Sequence, residues 1–390
     1  FSATATGGGG ARRPLRMGGR GRRRLPRGLV LLGMPTALLG ALVGCRGGDP
    51  ATRVEPPLRL SEYRLFVGDP AAQRPAEDVL LYELNSPLFS DHADKHRFVR
   101  LPPGGEIGYR TDDTLEMPVG TVIAKTFSYR RQDGGRHLLE TRILRRLESG
   151  WEALPYVWDE AQREARLEII GGVRPARVPL PGGEWIEHAY RIPNRNQCKG
   201  CHRRRGDELL PIGPTAAQLN REVEFADGAE NVLDRWRRLG VLAGAPPAAE
   251  APRAAVWNDP ASGTLDERAR IWLDVNCAHC HNPEGPARTS SLDLRAGHRD
   301  RPALGVMKTP VAAGRGSGDR LYSIVPGAPD ESILVYRLES LDPGAMMPEL
   351  GRSRGDHEAV RLIRDWIVAM AASDVPGSEV PAAASRSAGP

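Results

Sequence analysis

Aromatic residues and cysteines are scarce in this chain of 390 residues. Phe, Trp and Tyr make up 5% of the sequence, whereas 44 glycines and 34 prolines favour long loops. Four of the five cysteines stand in two C-x-x-C pairs, so no further pair is left for a structural disulfide. No apolar run is long enough to cross a bilayer as a helix, and no Ser-His-Asp set, P-loop or Gly-rich dinucleotide motif is present.

Acidic residues are missing from the first 44 positions, which contain eight arginines. Removing these arginines from the formal net charge of +5 leaves −3 for residues 45–390. The basic character therefore belongs to a segment that is expected to be cleaved off. We accordingly expect no nucleic-acid partner.

The basic cluster leads into an apolar stretch over 28–41 that is too short and broken to span a membrane but typical of a signal peptide. It ends in Leu42-Val43-Gly44-Cys45, which resembles the bacterial lipobox, whose cysteine is diacylated. We predict a signal peptide with upstream residues over 1–44, lipidation at Cys45 and a lipid-anchored tether over 45–57. A cleaved, soluble secretory peptide is the alternative.

Two pentapeptides have the spelling C-x-x-C-H, at 198–202 and at 277–281. In an exported chain this pattern is typical of covalent c-type haem attachment, because two thiols can bond the vinyl groups while the histidine ligates iron. A zinc site would leave both histidines unexplained, and a thioredoxin-like site needs one motif in a βαβ context. The sequence predicts two covalently bound haem c groups, held by Cys198, Cys201, Cys277 and Cys280 and ligated by His202 and His281.

The sequence Met346-Met347-Pro348 lies in a Gly- and Pro-containing loop beyond the second motif. We predict Met347, or else its neighbour Met346, as the sixth ligand of the second haem. A thioether ligand raises the reduction potential relative to bis-histidine ligation.

A sixth ligand for the first haem is harder to assign, since residues 203–276 contain neither His nor Met. Any such ligand comes from upstream or from the other domain. The candidates are His92, His96, His188 and, less strongly, Met117. The remaining histidines are expected to be structural or solvent-exposed; they are His137, His279, His298 and His357.

Period-two patterns over 58–192, with a hairpin turn at 131–135, predict antiparallel strands. Residues 215–242 have a helical period, and Thr264 can cap a helix that leads into Cys277. We therefore expect an α+β multidomain protein, with an N-terminal antiparallel β-rich haem domain and an all-α class I cytochrome c domain. The predicted boundaries are 58–242 for the first domain, 243–255 for a linker, 256–373 for the second domain and 374–390 for a disordered tail.

From about Leu84 to Met370 the chain resembles an uncharacterised bacterial family of di-haem c-type cytochromes, often lipoproteins, found beside parallel β-helix proteins. This resemblance implies two haems and an envelope location. It rests on the segments 86–91, 118–121, 154–158, 194–202, 275–282 and 346–353.

A shorter stretch, 118–127, resembles β-rich c-type cytochromes that oxidise hydroxylamine and whose haem is cross-linked to a lysine. That resemblance implies an open first haem, with Lys95 or Lys125 as the cross-link donor.

The sequence predicts a di-haem cytochrome lipoprotein that transfers electrons in the bacterial cell envelope, facing the periplasm or cell surface. Its partners would be a membrane, reached through the lipid anchor, and a redox protein. The alternative is a haem oxidoreductase with a catalytic first haem and an electron-transferring second haem. A third possibility, an adhesion module, rests only on the size of the β-rich region.

Overall fold

A computed structural model describes residues 54–179, 183–204, 208–312 and 314–373. Its strands are β1 (Val79–Tyr82), β2 (Asp94–Arg100), β3 (Ile107–Gly108), β4 (Val122–Arg130), β5 (Arg136–Leu147), β6 (Gly150–Trp158), β7 (Ala165–Leu167), β8 (Gly172–Pro179), β9 (Trp185–Ile192), β10 (Glu222–Phe225), β11 (Gly228–Asn231) and β12 (Leu242–Ala243). Six of them form an antiparallel sheet in the order β1-β2-β4-β5-β6-β7. The pairs β8–β9 and β10–β11 are antiparallel, and β3 pairs with β12 in parallel.

The α-helices of the described residues are α1 (Arg195–His202), α2 (Ala216–Leu219), α3 (Val232–Arg238), α4 (Leu265–Leu273), α5 (Arg301–Leu304), α6 (Ile333–Glu339) and α7 (His357–Ser373). The predicted cap at Thr264 is confirmed: its side chain accepts a hydrogen bond from the Glu267 amide, and the Glu267 carboxylate accepts one from the Thr264 amide. Helices α4, α6 and α7 share an apolar core that also contains Cys277. None of the described helices combines the length and the apolar character needed to cross a bilayer.

Side chains of the six-stranded sheet alternate between two apolar cores. Phe98 and Ala124 pack on one side, together with residues of the segment before β1, whereas Val99 and Ile123 pack on the other, together with α2 and α3. Successive strand residues point to opposite faces, so a sheet covered on both sides needs apolar residues at consecutive positions. This explains the continuous apolar start of β4.

The hairpin predicted at 131–135 is confirmed. It joins β4 to β5, and the Arg131 amide donates to the Gly135 carbonyl over 2.7 Å. Gly134 adopts a φ of 81°, a conformation that glycine reaches without a steric penalty. The continuous helical period predicted over 215–242 is wrong, because the β10–β11 hairpin separates α2 from α3. Val223 is buried although it lies in the strand β10. Over a short stretch, the apolar spacing of a strand can be mistaken for that of a helix.

The all-α class I cytochrome c domain expected over 256–373 is also wrong. The protein is β-rich and 24% helical, and between α4 and α7 the described chain contains only the short helices α5 and α6 and single turns of other helix types. Proline and glycine are frequent in this part of the chain, and both disfavour a continuing helix. The helices that do form cover one apolar core within a compact unit that begins at Pro56.

Residues 243–255, expected as a linker, pack against α2. The Ala254 amide donates to the Ala217 carbonyl over 2.9 Å, and the Asn220 side chain donates to the carbonyls of Ala248 and Ala251. The domain boundaries stay a prediction. The predicted signal peptide, the lipidation site Cys45 and the tail 374–390 lie outside the described residues, as does the tether up to position 53.

Asp91 joins the β-rich region to the loop before α7. Its buried carboxylate accepts hydrogen bonds from the Ser353 amide and hydroxyl, the Arg354 amide and His188 Nε2. Its carbonyl accepts a further bond from the Tyr129 hydroxyl over 2.8 Å. Burial alone would raise the pKa of Asp91, but the hydrogen bonds from His188, Ser353 and Arg354 hold it below the usual value.

Replacing Asp91 by alanine should lower the free energy of unfolding by roughly 3 kcal/mol, because the donors around it would lose a buried charged acceptor. The exposed Asp112 is the control, and Asp112→Ala should change stability by less than about 0.5 kcal/mol. Urea denaturation at pH 7, followed by tryptophan fluorescence, measures both. Equal unfolding free energies for the two variants would contradict the role of Asp91.

The effect should also depend on pH. The pKa of Asp91 is lower in the folded chain than in the unfolded one, so its contribution is complete above the unfolded pKa of about 4 and is lost as pH falls through the folded pKa. The difference in unfolding free energy between the wild type and Asp91→Ala should therefore shrink in acid.

Candidate haem-binding site

Helix α1 presents the first C-x-x-C-H motif at its C-terminal end. Asn194 caps the helix, accepting from the Gln197 amide over 2.8 Å, while the Gln197 side chain accepts from the Asn194 amide over 2.9 Å. Because residues three apart lie on one face of a helix, Cys198 and Cys201 project to the same side. His202 follows in the last turn.

The second motif follows α4 through a turn of π-helix over Asp274–Ala278, which contains Cys277. Such turns frequently occur at functional sites. The amides of Cys280 and His281 both donate to the Cys277 carbonyl, at 3.1 and 2.9 Å, so the motif is wound into a tight turn. Burial raises the pKa of the Cys277 thiol to about 12.

Both motif histidines use Nδ1 for a hydrogen bond within the protein. His202 Nδ1 lies 2.8 Å from the Leu210 carbonyl, which can only accept, so this nitrogen carries the proton. His281 Nδ1 lies 3.0 Å from Ser290 Oγ. Burial is the main reason that the pKa of each imidazole is lowered to about 4. The arrangement leaves Nε2 of a neutral ring as the donor atom for a metal, as in many histidine-ligated sites.

The two motifs are adjacent in space although 74 residues separate them in the sequence. Cys280 Sγ donates to the Gly200 carbonyl over 3.4 Å, and Arg204 donates to the His279 carbonyl over 3.1 Å. The Cys201 thiol also contacts the side chains of Cys280 and His279, and hydrogen bonding to Cys280 is the main reason that its pKa lies below the usual value for cysteine. All four motif cysteines are free thiols.

Residues of the first motif line two cavities. The first contains about 880 Å³ of space, part of it open to solvent, and is lined by Cys198, Cys201, His202 and His279 together with apolar side chains such as Phe89. The second contains about 1020 Å³ of space, part of it likewise open to solvent. Cavities with mainly apolar walls and a few polar groups are typical of cofactor sites.

The donor set fits haem c. Paired thiols precede a histidine in both motifs, neither histidine has a hydrogen bond at Nε2 from the residues that the structure describes, and an apolar cavity lies beside the first motif. In the part of the chain that the structure describes, no group of three or more His, Cys, Asp or Glu side chains is arranged to hold a bare metal ion.

Met347 lies in the loop between α6 and α7. Its amide donates to the Arg337 carbonyl over 2.9 Å, and its carbonyl accepts from Arg352 over 2.8 Å. Pro348 and Leu350, from the same loop, line the first cavity. Met347 is half-buried and, within the described residues, is not one of the residues that line either cavity, whereas Met346 is buried.

The four candidates for the distal ligand of the first haem lie elsewhere. His92 stacks edge-on against Phe89, His96 lies 3.2 Å from Ser128 Oγ, and His188 bonds Asp91. Met117 is buried in an apolar core. None of the four is among the described residues that line the two cavities.

His279 was expected to be structural or exposed, and the structure buries it. It is 6% exposed and lines the first cavity with His202, and its Nδ1 has no hydrogen-bond partner among the described residues. The lack of His and Met over 203–276 predicts only that a ligand would come from another segment. Nothing in the sequence showed that the second motif would supply a buried imidazole beside the first.

Lys95 and Lys125 both face the second cavity, and Lys125 faces the first as well. Burial, and after it the neighbouring cations, lower the pKa of each lysine to about 7. Lysines of this kind are candidates for functional groups.

Comparison of the chain with protein-family models, with curated proteins and with solved structures finds no match. The function is therefore inferred from the residues of the site and their surroundings.

Arg352 holds the loop that contains Met347. Its guanidinium, 6% exposed as a residue, donates to the carbonyls of Met347, Arg337, Ser340 and Arg354. Burial lowers the pKa of Arg352. One side chain thus fixes four backbone positions around the predicted ligand.

Arg352→Lys keeps the charge but loses the planar fork of donors. We expect roughly 2 kcal/mol less stability and faster amide hydrogen exchange in residues 340–348. The control is Arg361→Lys, since Arg361 is exposed. Hydrogen exchange measured by mass spectrometry tests this expectation, and unchanged exchange in this loop would show that other contacts hold it.

Proposed function

We propose that this protein is a di-haem c-type cytochrome lipoprotein that transfers electrons in the bacterial cell envelope. One observation supports this most: two C-x-x-C-H motifs lie in contact, and in each the histidine Nδ1 is already bonded within the protein. Two haems bound at this contact would lie close together, so an electron would have a short distance to travel from one iron to the other. Electron carriers need such proximity, because electron transfer slows steeply with distance.

Cys198 and Cys201 would hold the first haem, with His202 as its proximal ligand. Cys277 and Cys280 would hold the second, with His281 as its proximal ligand and Met347 as its distal ligand. When bound, haem supplies one-electron redox chemistry at iron, tuned by its axial ligands. The hydrogen bonds from His202 to Leu210 and from His281 to Ser290 would orient the two imidazoles.

His279 is our candidate for the distal ligand of the first haem. It lines the same cavity as His202 and has an unpartnered nitrogen among the described residues. A second imidazole would keep this haem six-coordinate, which suits electron transfer without bond making.

The second candidate function is a haem oxidoreductase whose first haem is open to a substrate. The observation in its favour is Lys125, whose ammonium faces both cavities and has no hydrogen-bond acceptor in the described part of the chain. A lysine with a pKa near 7 could exchange a proton with a bound substrate.

Haem content and optical spectra of the purified full chain test these proposals. We expect two covalent haems per chain, both low-spin and unaffected by carbon monoxide. Fewer than two haems would overturn the di-haem proposal, and a high-spin haem that binds carbon monoxide would favour the oxidoreductase.

Substitutions assign the ligands. Met347→Ala should remove the His/Met spectrum of one haem only, and His279→Gln should make the other haem high-spin. Met307→Ala, at an exposed methionine, is the control and should change neither spectrum. An unchanged Met347→Ala spectrum would point to Met346.

The envelope location depends on Cys45. Cys45→Ser should move the protein from the membrane fraction to the soluble fraction of the envelope, because it removes the thiol that would be acylated. Fractionation and immunoblotting measure this. Retention of the variant on membranes would refute the lipid anchor and leave a different means of attachment.

A further inference from the structure

Three cations form a row across the six-stranded sheet. Arg97 on β2 is the cross-strand partner of Lys125 on β4, and Lys125 is the partner of Arg142 on β5. Because partners on neighbouring strands share a face, the three side chains project to the same side. We call Arg97, Lys125 and Arg142 the cationic row.

The adjacent row on the same face is apolar. It consists of Val99, Ile123 and Leu144, which are partners across the same three strands and lie two residues away from the cationic row. Side chains two apart along a strand share a face, so this face changes from apolar to cationic in a single step. The apolar row packs in the core under α2 and α3, and the cationic row begins where that core ends.

All three members of the cationic row line the second cavity, together with Lys95, Cys198 and His202. Lys125 and Arg142 also line the first cavity. Arg97 is 6% exposed, and the Arg142 side chain is 24% exposed. The charges are thus largely withdrawn from bulk water and directed at the space beside the first haem motif.

Acidic groups offset only part of this charge. Arg142 is paired with Glu140, with N–O distances of 3.0 and 2.6 Å. Asp274 also lines the second cavity, but burial raises its pKa and so disfavours its charged form.

The other cations have weaker partners. Lys95 donates to the Ala93 carbonyl over 2.8 Å, and Arg97 makes a long contact of 3.5 Å with the Lys95 carbonyl. Lys125 has no hydrogen-bond acceptor in the described residues; its ammonium lies 5.1 Å from the centre of the Phe127 ring.

Like charges placed directly opposite each other on neighbouring strands destabilise a sheet, and buried charges without partners cost more. The lowered pKa of Lys125, due to burial and then to Arg142 and Arg97, reflects the same positive potential. An arrangement that breaks a local rule of stability is expected where a ligand compensates it.

We propose that the cationic row is an anion-binding site that takes a carboxylate or another small oxyanion. Guanidinium groups bind carboxylates and oxyanions through charged hydrogen bonds. Arg142 keeps Glu140 as a partner, so Arg97 and Lys125 would supply most of the binding, with Lys125 as a point charge between the two arginines. The anion comes either from the propionate carboxylates of the first haem, which rests on the proposed function, or from a free ion that enters the cavity.

Sulfate binding, measured by isothermal titration calorimetry on the haem-loaded full chain, tests the proposal. Lys125→Gln should weaken sulfate binding by roughly tenfold or more, the loss expected for one charged hydrogen bond. Arg130→Gln is the matched control, because Arg130 lies at the exposed end of the same strand with a side chain 77% exposed. If the haem-loaded wild type binds sulfate, equal binding by Lys125→Gln would overturn the proposal. If it binds none, the same comparison is made in the variant that lacks the first haem, Cys198→Ala/Cys201→Ala, and equal binding there would overturn the proposal.

The source of the anion is decided by a full-chain variant that cannot attach the first haem, Cys198→Ala/Cys201→Ala, checked for folding by the spectrum of the second haem. If propionates occupy the site, this variant binds sulfate and the haem-loaded wild type does not. If a free ion occupies it, both forms bind sulfate. Failure of sulfate to bind to either form would contradict the proposal. A purified wild type that carries no haem but binds sulfate would refute only the proposed function.

A crystal structure of the haem-loaded chain grown with sulfate tests the same idea if the double variant does not fold. The proposal requires a propionate or sulfate oxygen within hydrogen-bond distance of Lys125 Nζ. Water alone at that position would overturn it.

Discussion

The alternation of side chains between the two faces of the six-stranded sheet is the constraint on which the rest of the structure depends. Each face must be covered, so one packs on the segment before β1 and the other on α2 and α3. The second face also carries the cationic row, beyond the edge of its apolar core. A shift of register by one residue would bury these charges in the opposite core.

The position of α1 follows from this arrangement. Its capped helix delivers Cys198 and His202 to the cavity that the cationic row lines. The second motif approaches from α4, and the contact of Cys280 with Gly200 brings the two motifs together. Asp91 and Arg352 hold the loop that follows Met347 from two sides. The protein thus joins three distant segments at one place, as the proposed pair of haems would require.

The local sequence predicted secondary structure correctly where one residue type determines the backbone geometry. The hairpin at 131–135 depends on glycine, and the start of α4 depends on Thr264 and Glu267, so both could be predicted. The helical period over 215–242 failed because short amphipathic strands and helices have similar patterns. The all-α second domain failed because the expectation came from its motifs, which specify a ligand chemistry and not the helix content around it.

The sequence by itself determined the candidate ligands. The two C-x-x-C-H motifs, the Met-Pro loop and the lack of His and Met over 203–276 follow from residue order alone. Only the tertiary structure decided that the motifs are adjacent, that His279 is buried beside His202, and that Arg97, Lys125 and Arg142 form one row. These facts depend on strand register and on contacts between residues far apart in the chain. Such contacts form only when distant segments pack together, so they cannot be predicted from any short stretch of sequence.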